Sequence, residues 1–320
     1  MKERVMSSED ARNTSAVGIG PEAEVESEER GLPTALVRAL PILALVALAV
    51  ILFAYFQSET FRTGVREVGA GFGTQSFWIA SGVGLLAQVV DGALGMAYGI
   101  TSTTFLLSTG VSPAVATASV HIAEVFTTGF SGLSHWKLGN VNKALFKRLV
   151  IPGVIGAVFG AYIVTSLDGK TLRPYISGYL LLMGVYILIK AFRRITIKTE
   201  PPTYIAPLAL TGGFVDAVGG GGWGPVVTTS LLGGGHDPRS TIGSVNAAEF
   251  FLALASGVSF AVMGGFTTWT TIAGLIFGGL FAAPLAAVLT KYAPTKVLLI
   301  IVGTLISGLS LFTLYQTFGK

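Results

Sequence analysis

The feature that most constrains this chain of 320 residues is an internal repeat at a constant spacing. Without any gap, positions 91–133 match positions 216–258 at sixteen places. A shared apolar composition explains matching Leu, Gly and Ala residues, but it does not explain acids and a proline that stay in register. We therefore predict a duplicated structural unit. Its most specific matches are Asp91 with Asp216, Glu124 with Glu249, and Pro113 with Pro238.

The composition places this duplicated unit in a membrane. Hydrophobic residues make up 51% of the chain and charged residues only 12%, whereas soluble domains carry about 25% charged residues. Eight of the 17 acids lie in the first 29 residues, so the rest of the chain is poorer still in charge. This excludes an ordinary soluble enzyme, a nucleic-acid-binding protein and a disordered scaffold. The chain has no cysteine, so it has neither disulfides nor thiolate metal sites. We predict an all-α polytopic membrane protein.

Polar and apolar runs divide the chain into five segments. Residues 1–33 are polar and acidic, which predicts a disordered cytoplasmic tail. The apolar run Leu36–Phe56 is about as long as the ~20 residues that span a bilayer, and it starts too far from the N-terminus for a signal peptide. The predicted organisation is a tail (1–33), an extra N-terminal transmembrane helix with a loop (34–76), repeat 1 (77–192), a basic cytoplasmic linker (193–203) and repeat 2 (204–320).

Each repeat begins with a long apolar stretch that glycines interrupt, at 77–109 and at 204–234. These stretches are long for one crossing and short for two, and glycine clusters favour a helix break. We therefore expect each stretch to form a re-entrant hairpin of two half-helices that reaches about mid-membrane. Three transmembrane helices should follow in each repeat, at 113–136, 145–167 and 172–192, and at 238–262, 268–290 and 294–316.

Basic loops orient the two repeats. The loop 137–148 carries four basic residues, whereas the equivalent loop 263–267 carries none, and the segment 190–203 again carries four. Basic loops stay in the cytoplasm, so the equivalent loops should lie on opposite sides of the membrane. The predicted fold is thus two inverted repeats, each a broken helix pair plus three transmembrane helices. The protein should be multi-pass in the cytoplasmic (inner) membrane, with a cytoplasmic N-terminus.

Four acids in apolar segments, two in each repeat, are costly at membrane depth. Asp91 and Asp216 lie next to the glycine breaks, where a carboxylate can cap a half-helix. Glu124 and Glu249 lie far from any break, which favours a functional role in proton coupling. Burial favours the neutral form of a glutamate, so these two side chains could be neutral while an anion binds and could release a proton afterwards.

A polar stripe accompanies Glu124 on one helix face. Its members recur every three or four residues: Thr117, His121, Glu124, Thr128, Ser131 and His135. The second copy keeps Asn246, Glu249 and Ser256, with Asn246 in place of His121. Small polar residues alone could simply join helices. A histidine one turn from a glutamate instead favours proton exchange or contact with a substrate, so His121 is assigned to both roles.

The glycine tips are the second candidate site. Successive backbone N–H groups in a glycine-rich turn, together with the positive end of the following half-helix, can bind an anion without a buried arginine. No Gly-Lys-Ser/Thr follows, which disfavours a nucleotide-binding loop. Tyr98 and Trp223 are equivalent, and either line the site or pack the tip. The predicted substrate-binding residues are Gly95, Met96, Tyr98, Ser119, His121, Gly220, Gly221, Gly222, Trp223, Ser244 and Asn246.

The motifs at these positions resemble one known family. The segment Asp91-Gly92-Ala93-Leu94-Gly95-Met96, its glycine-rich counterpart 213–222 and the two Ser-Val-X-X-Ala-Glu segments resemble the TauE/SafE sulfite exporter family. The resemblance covers about residues 77–316. It implies transport of a small sulfur-containing anion such as sulfite, sulfoacetate or a related organosulfonate. His121 ahead of Glu124 is a departure from the pattern that the resemblance leads us to expect.

Three functional classes compete. The leading hypothesis is a proton-coupled secondary transporter of a small sulfur-containing anion, favoured by the glycine tips and by the net positive charge beyond residue 76, where 14 basic residues face seven acids. The alternative is a divalent-cation transporter that uses the intramembrane acids and His121. An intramembrane enzyme is disfavoured because GxSxG, HExxH and cysteine are absent. We predict no cofactor, no resident metal and no nucleic-acid partner. The expected partners are the substrate, protons and lipid, and a homodimer is compatible with the sequence.

Overall fold

The helices of the core follow the predicted segments closely. A computed structural model describes residues 57, 59–94, 96–192, 204–234, 236–263, 268–292 and 295–319. The predictions for the tail, the first apolar run, the linker and Gly95 lie outside these residues. Every regular element in the described residues is a helix: α1 Glu59–Gly71, α2 Gln75–Leu94, α3 Tyr98–Ser108, α4 Pro113–Lys137, α5 Lys143–Ser166, α6 Gly169–Phe192, α7 Ile205–Gly219, a π-helical turn Gly224–Thr228 that runs into α8 Thr229–Gly233, α9 Pro238–Met263, α10 Trp269–Tyr292 and α11 Thr295–Phe318.

Four of these helices have the length and composition of membrane spans. They are Lys143–Ser166, Gly169–Phe192, Arg239–Met263 and Leu299–Phe318, and their mean hydropathy runs from 1.6 to 1.9. Two further apolar stretches are shorter, Ile205–Gly219 and Trp269–Ala282. Spans of 20 to 25 residues are long enough to cross the hydrocarbon core of a bilayer. The chain is a multi-pass membrane protein.

Helix α1 occupies a segment for which the sequence predicts a loop. Its charged residues are exposed, whereas Gly64 is buried against the ring of Trp269 at the start of α10. Thr270 adds a hydrogen bond from its hydroxyl to the carbonyl of Glu67, at 3.2 Å. The sequence predicts a loop here because the charged residues obscure the helical spacing of the apolar ones. The contact with α10 holds the segment as a helix.

Side-chain caps set where the spanning helices begin. Ser112 accepts a hydrogen bond from the N–H of Val115 at the start of α4, where proline stands in the first turn. Asn142 accepts from two amides at the start of α5. Asp237 accepts from the N–H of Ser240 at 2.8 Å. The hydrogen bonds from Ser240 hold the pKa of Asp237, in its exposed turn, below the usual value.

The main helix pairs each join a helix from the first half of the chain to a helix from the second half. Helix α2 packs along α10, and α7 packs along α5; α4 pairs with α9, and α6 pairs with α11. Glycines permit the close approach in the first two pairs, because a side chain on Gly278 would meet the carbonyl of Ser81 and one on Gly156 would meet the carbonyl of Leu210. The first half-helix of each repeat is therefore held by the other repeat.

Both glycine-rich stretches are broken where the sequence predicts a break. The first break separates α2 from α3 and contains Ala97, whose φ of 97° is unusual for a residue with a side chain. The second separates α7 from the π-helical turn, and it contains Gly220 and Gly221 with φ of 65° and 143°. We call residues 96–99 tip 1 and residues 219–225 tip 2.

Candidate functional site

The two tips touch each other. A methyl group added to Gly99 would lie 2.6 Å from Cα of Gly221, and one added to Gly221 would collide with the backbone of Gly99 and Ile100. The hydroxyl of Thr103 donates to the carbonyl of Gly220 at 2.5 Å, and that of Tyr179 donates to the carbonyl of Gly221 at 3.1 Å. The absence of side chains at Gly99 and Gly221 is therefore what lets the two broken segments meet.

A small cavity of about 10 Å³ lies where the tips meet, which is room for about one water molecule. Both tips and three acids line it: Ala97, Tyr98, Gly99, Ile100, Glu124, Asp216, Gly221, Gly222, Gly224, Pro225 and Glu249. A sulfur oxyanion has several heavy atoms and is larger than this space. In this conformation the tips must separate before such an ion can enter.

The carboxylate of Asp216 accepts hydrogen bonds from backbone amides of tip 2. Its Oδ1 accepts hydrogen bonds from the N–H of Gly222 at 2.8 Å and of Trp223 at 2.9 Å. Its main-chain carbonyl accepts from the N–H of Gly221 at 3.0 Å. The amides predicted to hold a substrate anion thus hold an acid of the same chain, so an external anion must displace Asp216 to use them.

The other oxygen of Asp216 faces His121, and both side chains are buried. Nδ1 of His121 lies 2.7 Å from the carbonyl of Thr117, which can only accept, so Nδ1 carries a hydrogen. Nε2 lies 3.2 Å from Oδ2 of Asp216. A hydrogen bond there needs one more proton, placed either on the imidazole or on the carboxyl. Without that proton, two lone pairs would face each other.

Glu124 lies beside this pair. One ligand atom from each of His121, Glu124 and Asp216 falls within 4.8 Å of the others. Oε2 of Glu124 is buried and has no hydrogen-bond partner among the described residues. An ionised carboxylate without a partner is costly to bury. A proton or a cation at Glu124 would remove that cost.

The second copy of this arrangement lacks the histidine. Asp91 accepts a hydrogen bond from the N–H of Tyr98, as Asp216 accepts from that of Trp223. Asn246, the counterpart of His121, instead directs its amide towards the hydroxyl of Ser131 at 3.4 Å. The two tips therefore share one acid–amide bond, and in the described residues the acid–histidine pair belongs to tip 2.

Three predicted binding residues lie away from the cavity. Ser119 hydrogen-bonds to Thr268, which lies just before α10, at 2.8 Å. Its counterpart Ser244 hydrogen-bonds to the backbone of Asn142, just before α5. Trp223 is fully buried, and its indole N–H donates to the carbonyl of Val245 at 3.2 Å. The structure gives these three side chains contacts between helices.

Other residues at the tips were not singled out from the sequence. Thr103 and Tyr179 bind carbonyls of tip 2, as described above. Lys190, which the sequence places in a basic cytoplasmic segment, extends its ammonium to the sulfur of Met96 at 3.3 Å and to the hydroxyl of Thr229 at 3.2 Å. Thr103 and Thr229 both belong to threonine pairs shared by the two repeats, and that repetition was the available signal. Lys190 carried no comparable signal, because it ends an apolar span next to other basic residues.

Comparison with known proteins identifies the family. The profile of the sulfite exporter TauE/SafE family matches residues 80–313, which is most of the chain. The chain belongs to this family. The membership agrees with the resemblance carried by the broken-helix motifs, and the match includes both tips and the four acids.

Relatives in Bacillus subtilis (strain 168) are named as transporters. The chain is 45% identical over 230 residues to the probable membrane transporter protein YtnM, covering 69% of this chain and 77% of that protein. It is 22% identical over 253 residues to the probable membrane transporter protein YunE, covering 71% of this chain and 93% of that protein. No solved structure matches the chain significantly. The TauE/SafE chain described here is thus a membrane transporter.

Proposed function

We propose that this TauE/SafE protein is a secondary active transporter of a small sulfur-containing anion such as sulfite, sulfoacetate or a related organosulfonate, coupled to protons. The observation that carries the proposal is the buried His121–Asp216 pair at the junction of two broken helices. Transporters commonly bind their substrate where broken helices meet near the bilayer midplane. Family membership supports the class of substrate, and the pair supplies a site for a coupled proton.

In the proposed mechanism, protonation of the His121–Asp216 pair favours binding of the anion. A protonated pair lets Asp216 leave the amides of Gly222 and Trp223 without exposing a bare carboxylate, which lowers the negative charge that an approaching anion meets at the tips. Glu124, within 4.8 Å of the pair, accepts or returns the proton. Anion binding and proton binding then favour each other, which is the linkage that coupled transport requires.

We also propose that the core is an inverted duplication. Repeat 1 comprises residues 77–192, the cytoplasmic linker residues 193–203, and repeat 2 residues 204–320. A cytoplasmic tail and an extra transmembrane helix precede repeat 1. The exchanged packing of α2 with α10 and of α7 with α5 supports a two-fold relation. The equivalent bonds of Ser119 and Ser244 to the loops before α10 and α5 support it as well. An odd number of membrane-crossing helices per repeat then inverts the second copy.

Accessibility labelling tests the inversion. Leu138 and Met263 are repeat equivalents, are exposed and end α4 and α9, and the chain has no native cysteine. Leu138→Cys should react with an impermeant maleimide only in inside-out vesicles, and Met263→Cys only in right-side-out vesicles. Labelling of both positions from one side would contradict the inversion.

Counterflow in proteoliposomes tests the function. Vesicles containing the full chain and loaded with unlabelled sulfite should accumulate radiolabelled sulfite, and sulfoacetate or another sulfonate should compete, whereas protein-free vesicles should not. An imposed pH gradient should drive net movement of the same anion. Failure of every sulfur-containing anion to exchange would refute the proposed substrate class.

A divalent-cation transporter is the second candidate, favoured by one observation. His121, Glu124 and Asp216 place three potential ligand atoms within 4.8 Å, and Glu249 lines the same cavity. Carboxylates with an imidazole bind divalent metals such as Mn²⁺ or Zn²⁺. Accumulation of radiolabelled manganese or zinc, with no exchange of sulfite or sulfonates, would establish this alternative in place of the anion.

A further inference from the structure

The acidic cavity leaves the proposed anion without a positive contact. Glu124, Asp216 and Glu249 line that cavity, and an ionised carboxylate repels an anion. The amides of tip 2 are already bonded to Asp216. A site for an anion therefore needs a cation close to the tips but outside the ring of acids.

Lys190 is such a cation. It lies in the last turn of α6, where its side chain is partly buried, and it contacts Met96 of tip 1 and Thr229 at the start of α8. Tip 1 continues from Met96 into Ala97 and Tyr98, which line the acidic cavity. The ammonium therefore joins the two broken segments, and its contact Met96 is the neighbour in sequence of a residue that lines the cavity.

The partners of Lys190 leave its charge uncompensated. A thioether sulfur and a hydroxyl are neutral, and a thioether is a weak acceptor. The described residues give Lys190 no ion pair with a carboxylate. An ammonium in a membrane protein ordinarily finds a charged partner or marks the path of an ion. A sulfite or sulfonate oxygen is a stronger acceptor for this ammonium than either of its present contacts.

Other basic residues of the core are engaged differently. Arg173, at the opposite end of α6, donates to the carbonyl of Leu107 at 2.7 Å and to the side chain of Gln316. Lys296, at the start of α11, is exposed and lies over the ring of Phe192, 4.6 Å from its centroid. Lys296 thus carries the same charge close to Lys190 in the fold, and its ammonium stacks on an aromatic ring.

We propose that Lys190 and Thr229 form the contact that binds the anionic group of the substrate, on the side of the tips where α6 ends. The inference rests on the proposed function, and it names the residues that recognise the anion. Lys190 supplies a charge-assisted hydrogen bond, and Thr229 supplies a hydroxyl within reach of the same oxygen atoms. The acidic cavity then holds the proton, and the lysine site holds the anion.

The experiment compares Lys190→Gln, Lys190→Arg, Thr229→Val and the matched control Lys296→Gln in sulfite counterflow by the full chain. A lost charge-assisted hydrogen bond should raise KM in Lys190→Gln by about tenfold or more. Lys190→Arg should recover most of that loss, because it restores the charge, and Thr229→Val should raise KM by a smaller factor. Lys296→Gln should leave KM within about twofold of the wild type.

A second measurement separates binding from folding. Sulfite should raise the thermal unfolding midpoint of the purified wild-type protein and of Lys296→Gln, whereas Lys190→Gln should keep its ligand-free midpoint and lose the shift. An unchanged KM and an unchanged sulfite shift in Lys190→Gln, with an active wild type, would overturn the lysine site alone. A wild-type protein that exchanges no sulfur-containing anion would instead overturn the proposed function and, with it, this site.

Discussion

The two repeats carry equivalent acids, but the residues beside those acids differ. In repeat 1, helix α4 supplies His121 and Glu124, and His121 reaches across to Asp216 of repeat 2. In repeat 2, the equivalent helix α9 supplies Asn246 and Glu249, and Asn246 turns towards Ser131. The acids are duplicated, whereas the titratable nitrogen is present once.

This difference suggests a division of labour between the repeats. Both tips use an aspartate to satisfy a backbone amide, which is a structural requirement of any broken helix. Asp216 alone adds a histidine, to which the proposed mechanism assigns the coupled proton. A duplicated scaffold with one modified copy could thus hold one proton per cycle, which makes the asymmetry testable by substitution.

The largest expected effect comes from adding a side chain at a glycine of tip 2. Gly221→Ala places a side chain at φ 143° against the backbone of Gly99 and Ile100. Backbone strain and overpacking should together destabilise the protein by about 2–5 kcal/mol, which should abolish transport and lower the yield of folded protein. Thermal unfolding and size-exclusion chromatography of the detergent-solubilised protein measure this.

Gly178→Ala is the matched control for that substitution. Gly178 lies in α6, and a methyl group there would have nothing within 4 Å. This variant should be at least as stable as the wild type, with a gain of up to about 1 kcal/mol because alanine loses less backbone entropy in a helix. A stable and active Gly221→Ala variant would show that the two tips do not need their close contact.

The next effect comes from making repeat 1 resemble repeat 2. His121→Asn removes the imidazole but keeps an amide that can donate to Asp216. Flux driven by a pH gradient should fall to the level of protein-free vesicles, whereas sulfite counterflow should persist with a flattened pH dependence. Ser134→Ala, an exposed position on the same helix, is the control and should behave as the wild type. Wild-type pH dependence in His121→Asn would place the coupled proton elsewhere.

Sequence reasoning located the broken helices because their signals are local. Glycine clusters and the length of the apolar stretches predict the breaks near 95 and 220, and the observed helix ends lie there. The proximity of His121 to Glu124 is also local, because both lie on one face of α4. The bounds of the predicted long helices agree with those of the observed helices to within a few residues for the same reason.

Contacts between distant segments could not be derived in this way. Periodicity orients His121 on its helix, but it does not say that Asp216 of the other repeat lies opposite. Ser119 and Ser244 looked like binding residues because they are polar and repeated, yet their repetition follows from equivalent contacts between helices and loops. The sequence places Lys190 at the end of the span 172–192, but it does not say that the long side chain reaches Met96 and Thr229.

A smaller difference is expected between the two repeated glutamates. Glu124 lies within 4.8 Å of the His121–Asp216 pair and has an unpartnered oxygen, whereas Glu249 lines the cavity outside that cluster. Glu124→Gln should therefore reduce gradient-driven flux by about tenfold, consistent with loss of one proton-transfer group, and Glu249→Gln by less. Both should still bind sulfite.

Calorimetry and flux measurements check this order. Titration of sulfite between about pH 5 and pH 8 should show that Glu124→Gln loses more of the pH dependence of binding than Glu249→Gln. Equal effects of the two substitutions would mean that the repeats share the coupling. The reverse order would assign the proton to repeat 2.

The smallest effect concerns the backbone of tip 1. Ala97 adopts φ 97° and ψ −2°, and Gly222 stands at the equivalent position of tip 2. A residue with a Cβ in this left-handed region costs about 1–2 kcal/mol, while a glycine costs about 0.5–1 kcal/mol in additional backbone entropy on folding. Ala97→Gly should therefore be neutral or stabilising by up to about 1 kcal/mol, the opposite sign to Gly221→Ala, and thermal unfolding would measure it. Destabilisation by more than about 1 kcal/mol would show that the buried methyl group of Ala97 packs tip 1 tightly enough to outweigh its strained backbone. In that case tip 1 is held by side-chain packing and tip 2 by glycine, and the two tips are not interchangeable despite their common origin.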